Sequence, residues 1–209
     1  MSIIDLGKQS LIYGAGHVLA RLITFLLLPL YTHTFTQEEY GALSLAYAFM
    51  GFALILYRYG MDTAMMKYSV QKEGIERKKY ITLIIVTQFI TSLLFTIIIY
   101  FTRLSTAEYV LGTYRPDWIS YLAVILFFDA LWNLPLLILR SEEKAIPYIF
   151  LSLLNVILTM ALNIMFVVYW EQGIEGVFRA NIIASAFIFL VSLPIVIKRV
   201  VFDFFEKDI

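Results

Sequence analysis

YGAGHVLARLITFLLLPLY, residues 13–31, decides what kind of protein this is. A spanning helix needs about 20 mostly apolar residues to cross roughly 30 Å of hydrocarbon, and this run qualifies. It nevertheless carries His17 and Arg21 in its interior. Arg21 falls about a dozen residues from the expected entry point, or roughly 18 Å along a helix, which is close to mid-bilayer. A central arginine costs about 2.5–3.5 kcal/mol on insertion scales. Gly14, His17, Arg21 and Thr24 share one helical face, so that face is expected to look into protein or water. Pro29 removes a backbone hydrogen bond further along and permits a kink.

The remainder of the chain agrees with a lipid environment. Its 209 residues are 61% hydrophobic and 15% charged, with a mean hydropathy of +0.81. Soluble domains are nearer half apolar. Cysteine is absent and only two histidines are present, so disulfides, thiolate catalysis and most zinc sites are excluded. The formal net charge is zero, and no global field argues for nucleic acid. No metal or cofactor site is expected. The first apolar run has no small-residue cleavage site and is expected to remain as a membrane helix.

Six runs have spanning length: 10–33, 40–59, 80–102, 118–139, 147–170 and 174–197. Tyr40, Tyr59, Tyr80, Tyr100, Trp118 and Trp170 stand at their ends, where amphipathic rings favour the membrane interface. Segments 60–79 and 103–117 read as the longer connecting loops. The expected class is an all-α polytopic membrane bundle, because strands in a membrane barrel would show ten-residue alternation instead. Lys8, Lys67, Lys72, Arg77, Lys78, Lys79, Arg140, Lys144, Lys198, Arg199 and Lys207 all fall on one side of such a bundle. The other side has Arg103 and Arg115 among several acids. The positive-inside rule then places both termini in the cytoplasm. Residues 1–200 form one six-helix lobe, and 201–209 form a tail or the start of a linker.

Inside the spans the polar residues form a pattern. Asp129 is the acid set well inside a span, with Asn133 one turn later. Ser152, Asn155, Thr159 and Asn163 make a stripe along span five, and Arg179, Asn181 and Ser185 lie in span six. Arg58 sits near the inner end of span two. Each has a plain alternative: membrane asparagines and hydroxyls often only join helices, for about 0.6 kcal/mol. Arg21 and Asp129 can pair statically, and Glu175 stands four residues from Arg179. Arginines nevertheless outnumber acids in the interior, which suits an anionic ligand bearing phosphate or carboxylate.

The string LGKQSLIYGAGHVLARLITFLLLPLYTHTFTQEEYGALSLAYAFMGFALILYRYGMDTAMMKY resembles the opening of a polysaccharide-export flippase of the multidrug/oligosaccharidyl-lipid/polysaccharide exporter superfamily. The likeness rests on Gly14 and Gly16, Arg21 before a Leu-rich run with Pro29, Glu39-Tyr40-Gly41, and Tyr59-Gly60-Met61 through Ala64 and Tyr68. It extends over about residues 5–200. The resemblance implies a lobe that faces a second six-helix lobe across a central cavity, in a bacterial or archaeal cytoplasmic membrane. It implies translocation of an undecaprenyl-diphosphate-linked oligosaccharide by alternating access, with Arg21, and more loosely Arg58, holding the diphosphate.

Those flippases have twelve or more spans, so the second lobe is expected either in the same longer chain or from a second copy. Arg179 is a further candidate for substrate binding, and Asn155, Thr159 and Asn163 offer hydrogen bonds to sugar hydroxyls. Asp129 with Asn133 is open to two readings, as an ion-coupling site or as a counter-ion. The expected partners are the polyprenyl-diphosphate-linked oligosaccharide, membrane lipids and the second lobe, without nucleic acid. Two competing readings are a cation-coupled multidrug exporter, which should carry acids in its cavity, and a non-transporting assembly subunit. A membrane enzyme fits less well, because paired carboxylates are absent from the spans.

Overall fold

The computed structural model describes Gly14, Val18, residues 25–112 and residues 114–201. The described part is helical throughout. Residues 25–34 form the described end of α1. It is followed by α2 (Gln37–Arg58), α3 (Met61–Gln71), α4 (Gly74–Phe101), α5 (Arg103–Thr106), α6 (Pro116–Ser141), α7 (Ala145–Asn163) and α8 (Gly173–Ile197). Two π-helical segments intervene, Ala107–Leu111 before α6 and Ile164–Tyr169 after α7. Five segments are long and apolar enough to span a bilayer: Gln37–Arg58, Gly74–Phe101, Pro116–Ser141, Ala145–Tyr169 and Gly173–Ile197. The fold is a polytopic membrane helix bundle. The first expected span, 10–33, lies mostly outside the described residues, including His17 and Arg21.

Local chemistry sets the boundaries. α2 starts three residues before Tyr40 because Thr36-Gln37-Glu38-Glu39 closes a capping box. The Glu39 amide donates to Thr36 Oγ1 at 3.3 Å, and the Thr36 amide donates to Glu39 Oε2 at 2.9 Å. Pro116 occupies the first turn of α6, where its missing N–H costs nothing. Tyr59 and Gly60 end α2 with φ of 26° and 89°. The glycine takes the left-handed conformation that a Cβ would oppose.

Both expected loops contain helix. Segment 60–79 holds α3 and the first turns of α4, with Met65 and Ser69 buried and Met61, Ala64 and Tyr68 packed beside them. Segment 103–117 holds α5 and the first π segment, which buries Ala107 and Leu111 in the core. Neither segment has the length or continuous apolarity of a span. Their short buried faces were therefore invisible to a window tuned to twenty residues.

α6 forms the axis of the bundle and packs against α2, α3, α4, α7 and α8. Its apolar window is 61% buried, against 22–28% for the other four spans. Leu122, Leu126, Leu134 and Ile138 fill the interior, and their partners come from every neighbouring helix. Trp118 meets the ring of Phe178 on α8 edge-on, with centroids 5.7 Å apart. α8 approaches the second π segment at Gly176, where an added Cβ would lie 3.2 Å from the Phe166 backbone.

One end of the bundle is fastened by a single acid. Glu142, just beyond α6, accepts from Arg77 Nη2 at 3.2 Å, Lys144 Nζ at 2.9 Å and Arg199 Nε at 2.6 Å. A second nitrogen of Arg199 reaches its other oxygen. The Val201 amide donates to Thr82 Oγ1 at 3.0 Å, so the segment after α8 is tied to α4 as well. Arg77, Lys144 and Arg199, three of the basic residues that sequence reading assigns to one side, therefore meet at one end. Hydrogen bonding from Arg199 foremost, then from Lys144, holds the Glu142 carboxyl down to about 2.

Glu142→Gln should lower thermal stability in detergent by about 1.5–3 kcal/mol at neutral pH, the range for hydrogen bonds to charged groups. Because the folded carboxyl is depressed, its contribution is present above the ordinary value of 4.5 and is lost as pH falls toward 2. The stability gap between wild type and variant, followed by thermal unfolding across that window, should close on acidification.

Candidate functional site: a neutral, tyrosine-lined cavity

α1, α2, α7 and α8 enclose a cavity of about 400 Å³. Tyr40, Leu43, Ser44 and Tyr47 line it from α2, with the spacing that keeps residues on one helical face. Leu27, Leu28 and Tyr31 line it from α1, Asn155, Val156 and Thr159 from α7, and Asn181 from α8. The polar groups at its margin are held by one another. Tyr31 Oη donates to Asn163 Oδ1 at 2.9 Å, and Asn163 Nδ2 donates to the Thr159 carbonyl at 2.8 Å. The Tyr47 hydroxyl lies close enough to that of Tyr31 to interact with it. Asn181 Nδ2 donates to Tyr47 Oη at 3.3 Å and to the Val177 carbonyl at 2.8 Å.

This chain of donors fixes the direction in which each hydroxyl points. The rings of Tyr31, Tyr40 and Tyr47 supply flat apolar faces, while Ser44, Asn155, Thr159 and Asn181 supply neutral donors and acceptors. Such a lining suits a polyhydroxyl compound, which presents both C–H faces and hydroxyl edges. Among the described lining residues there is no charged side chain.

The span-five stripe divides. Asn155 and Thr159 face the cavity, Asn163 is buried behind it on Tyr31, and Ser152 donates back to the Tyr148 carbonyl at 2.9 Å. Asn163 also marks the point where α7 passes into the π-helical turn Ile164–Tyr169, a feature often found beside functional sites.

The charged candidates lie elsewhere. Asp129 Oδ1 accepts from Ser185 Oγ at 2.6 Å and Trp132 Nε1 at 3.0 Å, which bridges α6 to α8. Asn133 is not joined to it; its Nδ2 donates to Asp62 Oδ1 at 2.9 Å. The other oxygen of Asp62 faces Arg58 Nη1 at 3.4 Å. Arg58 is thus paired by an acid of α3 beside α6, away from the cavity lining. Arg179 is half exposed on α8 and donates to Gln172 Oε1 at 3.0 Å and Glu175 Oε2 at 3.3 Å. Its neighbours are the local pair that the i, i+4 spacing offers. Arg21 lies outside the described residues, as do His17 and Gly16. Among the described residues no group of three or more His, Cys, Asp or Glu is placed to hold a metal.

Sequence reading missed the tyrosines of the cavity and Asp62. Tyr40 stands at the start of a span, where an interfacial ring is expected, and rings inside a span such as Tyr31 and Tyr47 read as part of its apolar run. The signal was the spacing Tyr40, Ser44, Tyr47, which repeats by four and three on α2. Asp62 was hidden in a segment read as a loop.

A membrane helix bundle with a cavity whose described lining is polar but uncharged is the class that these observations define. The chain belongs to the polysaccharide biosynthesis protein family, which it matches over residues 6–208. It is 27% identical over 195 residues to an uncharacterized membrane protein of Haemophilus influenzae, covering 92% of this chain and 45% of that protein. Among solved structures it resembles a chain called "protein A", with a TM-score of 0.72 at 15% identity, covering 91% of this chain and 45% of the other. That likeness concerns the fold alone. The chain spans less than half the length of the relatives it matches.

Tyr31→Phe removes the donor to Asn163 and leaves a buried carboxamide oxygen unpaired. We expect a loss of about 1 kcal/mol in detergent unfolding, between the average for membrane hydrogen bonds and the desolvation cost of an orphaned group. Asn163→Leu in the same background should recover part of that loss, because both partners are then apolar.

Proposed function

We propose that this chain is one lobe of a flippase that carries polyprenyl-diphosphate-linked oligosaccharide across the cytoplasmic membrane of a bacterium or archaeon. The reading is supported by the family, whose name concerns polysaccharide biosynthesis. The observation that carries it is the cavity, whose tyrosine faces, hydroxyls and carboxamides match sugars and whose described lining lacks the acids that a cationic drug would favour. Asn155 and Thr159 contact sugar hydroxyls in this scheme, with Tyr31, Tyr40 and Tyr47 stacking against the rings. Asn163 acts behind them by orienting Tyr31.

Arg21 holds the diphosphate, and the prenyl tail stays in lipid. Arg58 and Arg179 take secondary parts at most, since each is engaged by an acid of its own. Asp129 and Asn133 serve first as ties between helices, and an ion-coupling role for Asp129 belongs to the same proposal. Residues 1–200 supply the lobe, and the second lobe comes from the same longer chain or from another copy. Alternating access then exposes the cavity to each leaflet in turn. In this scheme the protein works as a transporter rather than as an enzyme.

The test is made in cells that depend on the intact transporter. Arg21→Ala and the double variant Asn155→Leu/Thr159→Val should each reduce lipid-linked sugar reaching the outer leaflet by about tenfold, the value of 1.4 kcal/mol in an equilibrium or barrier. Lectin labelling of intact cells reads that loss, and immunoblotting checks that the protein is still made. Unchanged labelling in both variants would remove the flippase reading. Loss of resistance to cationic compounds with normal labelling would assign the cavity to drug export.

A further inference from the structure

α3 and the start of α4 form a corner beside the Glu142 cluster, outside the cavity. α3 runs antiparallel to the first turns of α4, so Met65 packs with Ile81 and Ile84 while Tyr68 meets Tyr80. The two tyrosine rings are stacked with centroids 4.4 Å apart and planes 3° from parallel. Lys67 Nζ stands 5.5 Å from the Tyr68 centroid, and Lys72 Nζ stands 5.5 Å from the Tyr80 centroid. Both distances are within cation–π range.

The corner is also apolar at its tip. Val70 and Ile75 are 65% and 67% exposed, one at the end of α3 and the other at the start of α4. Lys67 and Lys78 are exposed and make no ion pair among the described residues, whereas Lys72 is engaged by Glu76 at 3.0 Å. Residues 67–79 carry four lysines against Glu73 and Glu76, with Arg77 already engaged by Glu142. α4 has 28 residues, or about 42 Å of helix, while the hydrocarbon is about 30 Å thick. That extra length lets its basic first turns lie at headgroup level.

We infer that the α3–α4 corner is a seat for an anionic phospholipid headgroup, with the exposed Lys67 and Lys78 taking the phosphate and the tyrosine stack holding Lys67 in place. Charge complementarity selects this occupant. Lysines near an anionic leaflet are attracted to it within a Debye length. The seat is separate from the sugar cavity, so it stands or falls independently of the transport reading.

Native mass spectrometry of the full-length detergent-extracted protein, titrated with phosphatidylglycerol or phosphatidylcholine, measures the dissociation constant of the first bound lipid. Wild type should prefer phosphatidylglycerol. Lys67→Gln/Lys78→Gln should weaken phosphatidylglycerol about tenfold and leave phosphatidylcholine unchanged. Lys67→Arg/Lys78→Arg should retain the preference, which separates lost charge from lost fold. Arg140→Gln/Lys198→Gln removes equal charge from exposed positions at the same end and should stay near wild type. Equal weakening by that control pair would reduce the effect to the general basicity of this face and overturn the seat. So would an unchanged constant in Lys67→Gln/Lys78→Gln, or displacement of the lipid by inorganic phosphate alone.

Discussion

Hydrocarbon offers no water to a stranded polar group, and the polar interior of this bundle is arranged around that constraint. α6 is the most buried helix, and it carries the two side chains that most need partners. Asp129 draws Ser185 of α8 toward it, and Asn133 draws Asp62 of α3. These ties lie one helical turn apart on the same helix and point to different neighbours. The apolar packing of Leu122, Leu126, Leu134 and Ile138 fixes the distances, while the polar pairs fix the rotation of each neighbour about its own axis. A bundle held by dispersion alone would tolerate several rotations, since leucine packs on lipid nearly as well as on leucine.

The same rule explains the cavity. α2 and α7 present polar stripes that α6 does not satisfy, and these stripes meet across a gap instead of closing on one another. Where a partner is within reach, as for Tyr31 with Asn163, the group is buried. Where none is found among the described residues, as for the side chains of Asn155 and Thr159, the group lines open volume. An unfilled hydrogen-bonding capacity on rigid helices is what a binding site requires, and here it arises where the bundle is left incomplete by its own packing.

The broad fold was legible because the hydrophobic runs are long and uninterrupted. The meeting of Arg77, Lys144 and Arg199 at one end followed from their spacing along the chain and is realised in the Glu142 cluster. The cavity was half legible: the 155, 159, 163 spacing announced a polar face on α7, but nothing in it distinguished the two residues that line space from the one buried behind. The tyrosines were lost because hydropathy treats them as neutral filler, and only their spacing on α2 set them apart. Arg58 and Arg179 misled for a physical reason. A long arginine reaches a nearby acid, and both found one four residues away, Asp62 and Glu175. Arg21 has no such acid within its span, which is why it remains the charge on which the anionic-ligand reading rests.

The break at Tyr59-Gly60 has an electrostatic side. Ending one helix and beginning another inside the bundle brings the negative pole of α2 against the positive pole of α3. Arg58 occupies the last turn of α2, and Asp62 occupies the first turn of α3. Each side chain therefore opposes the partial charge of its own helix terminus before it meets the other, at a value of some 0.3–1 kcal/mol per terminus at exposed sites. Gln88 completes the arrangement by donating to the Tyr57 carbonyl at 2.6 Å, one of the acceptors that the early end of α2 leaves free. A discontinuity that would otherwise leave two helix poles uncompensated becomes a neutral joint, and the charged pair beside it is what neutralises it.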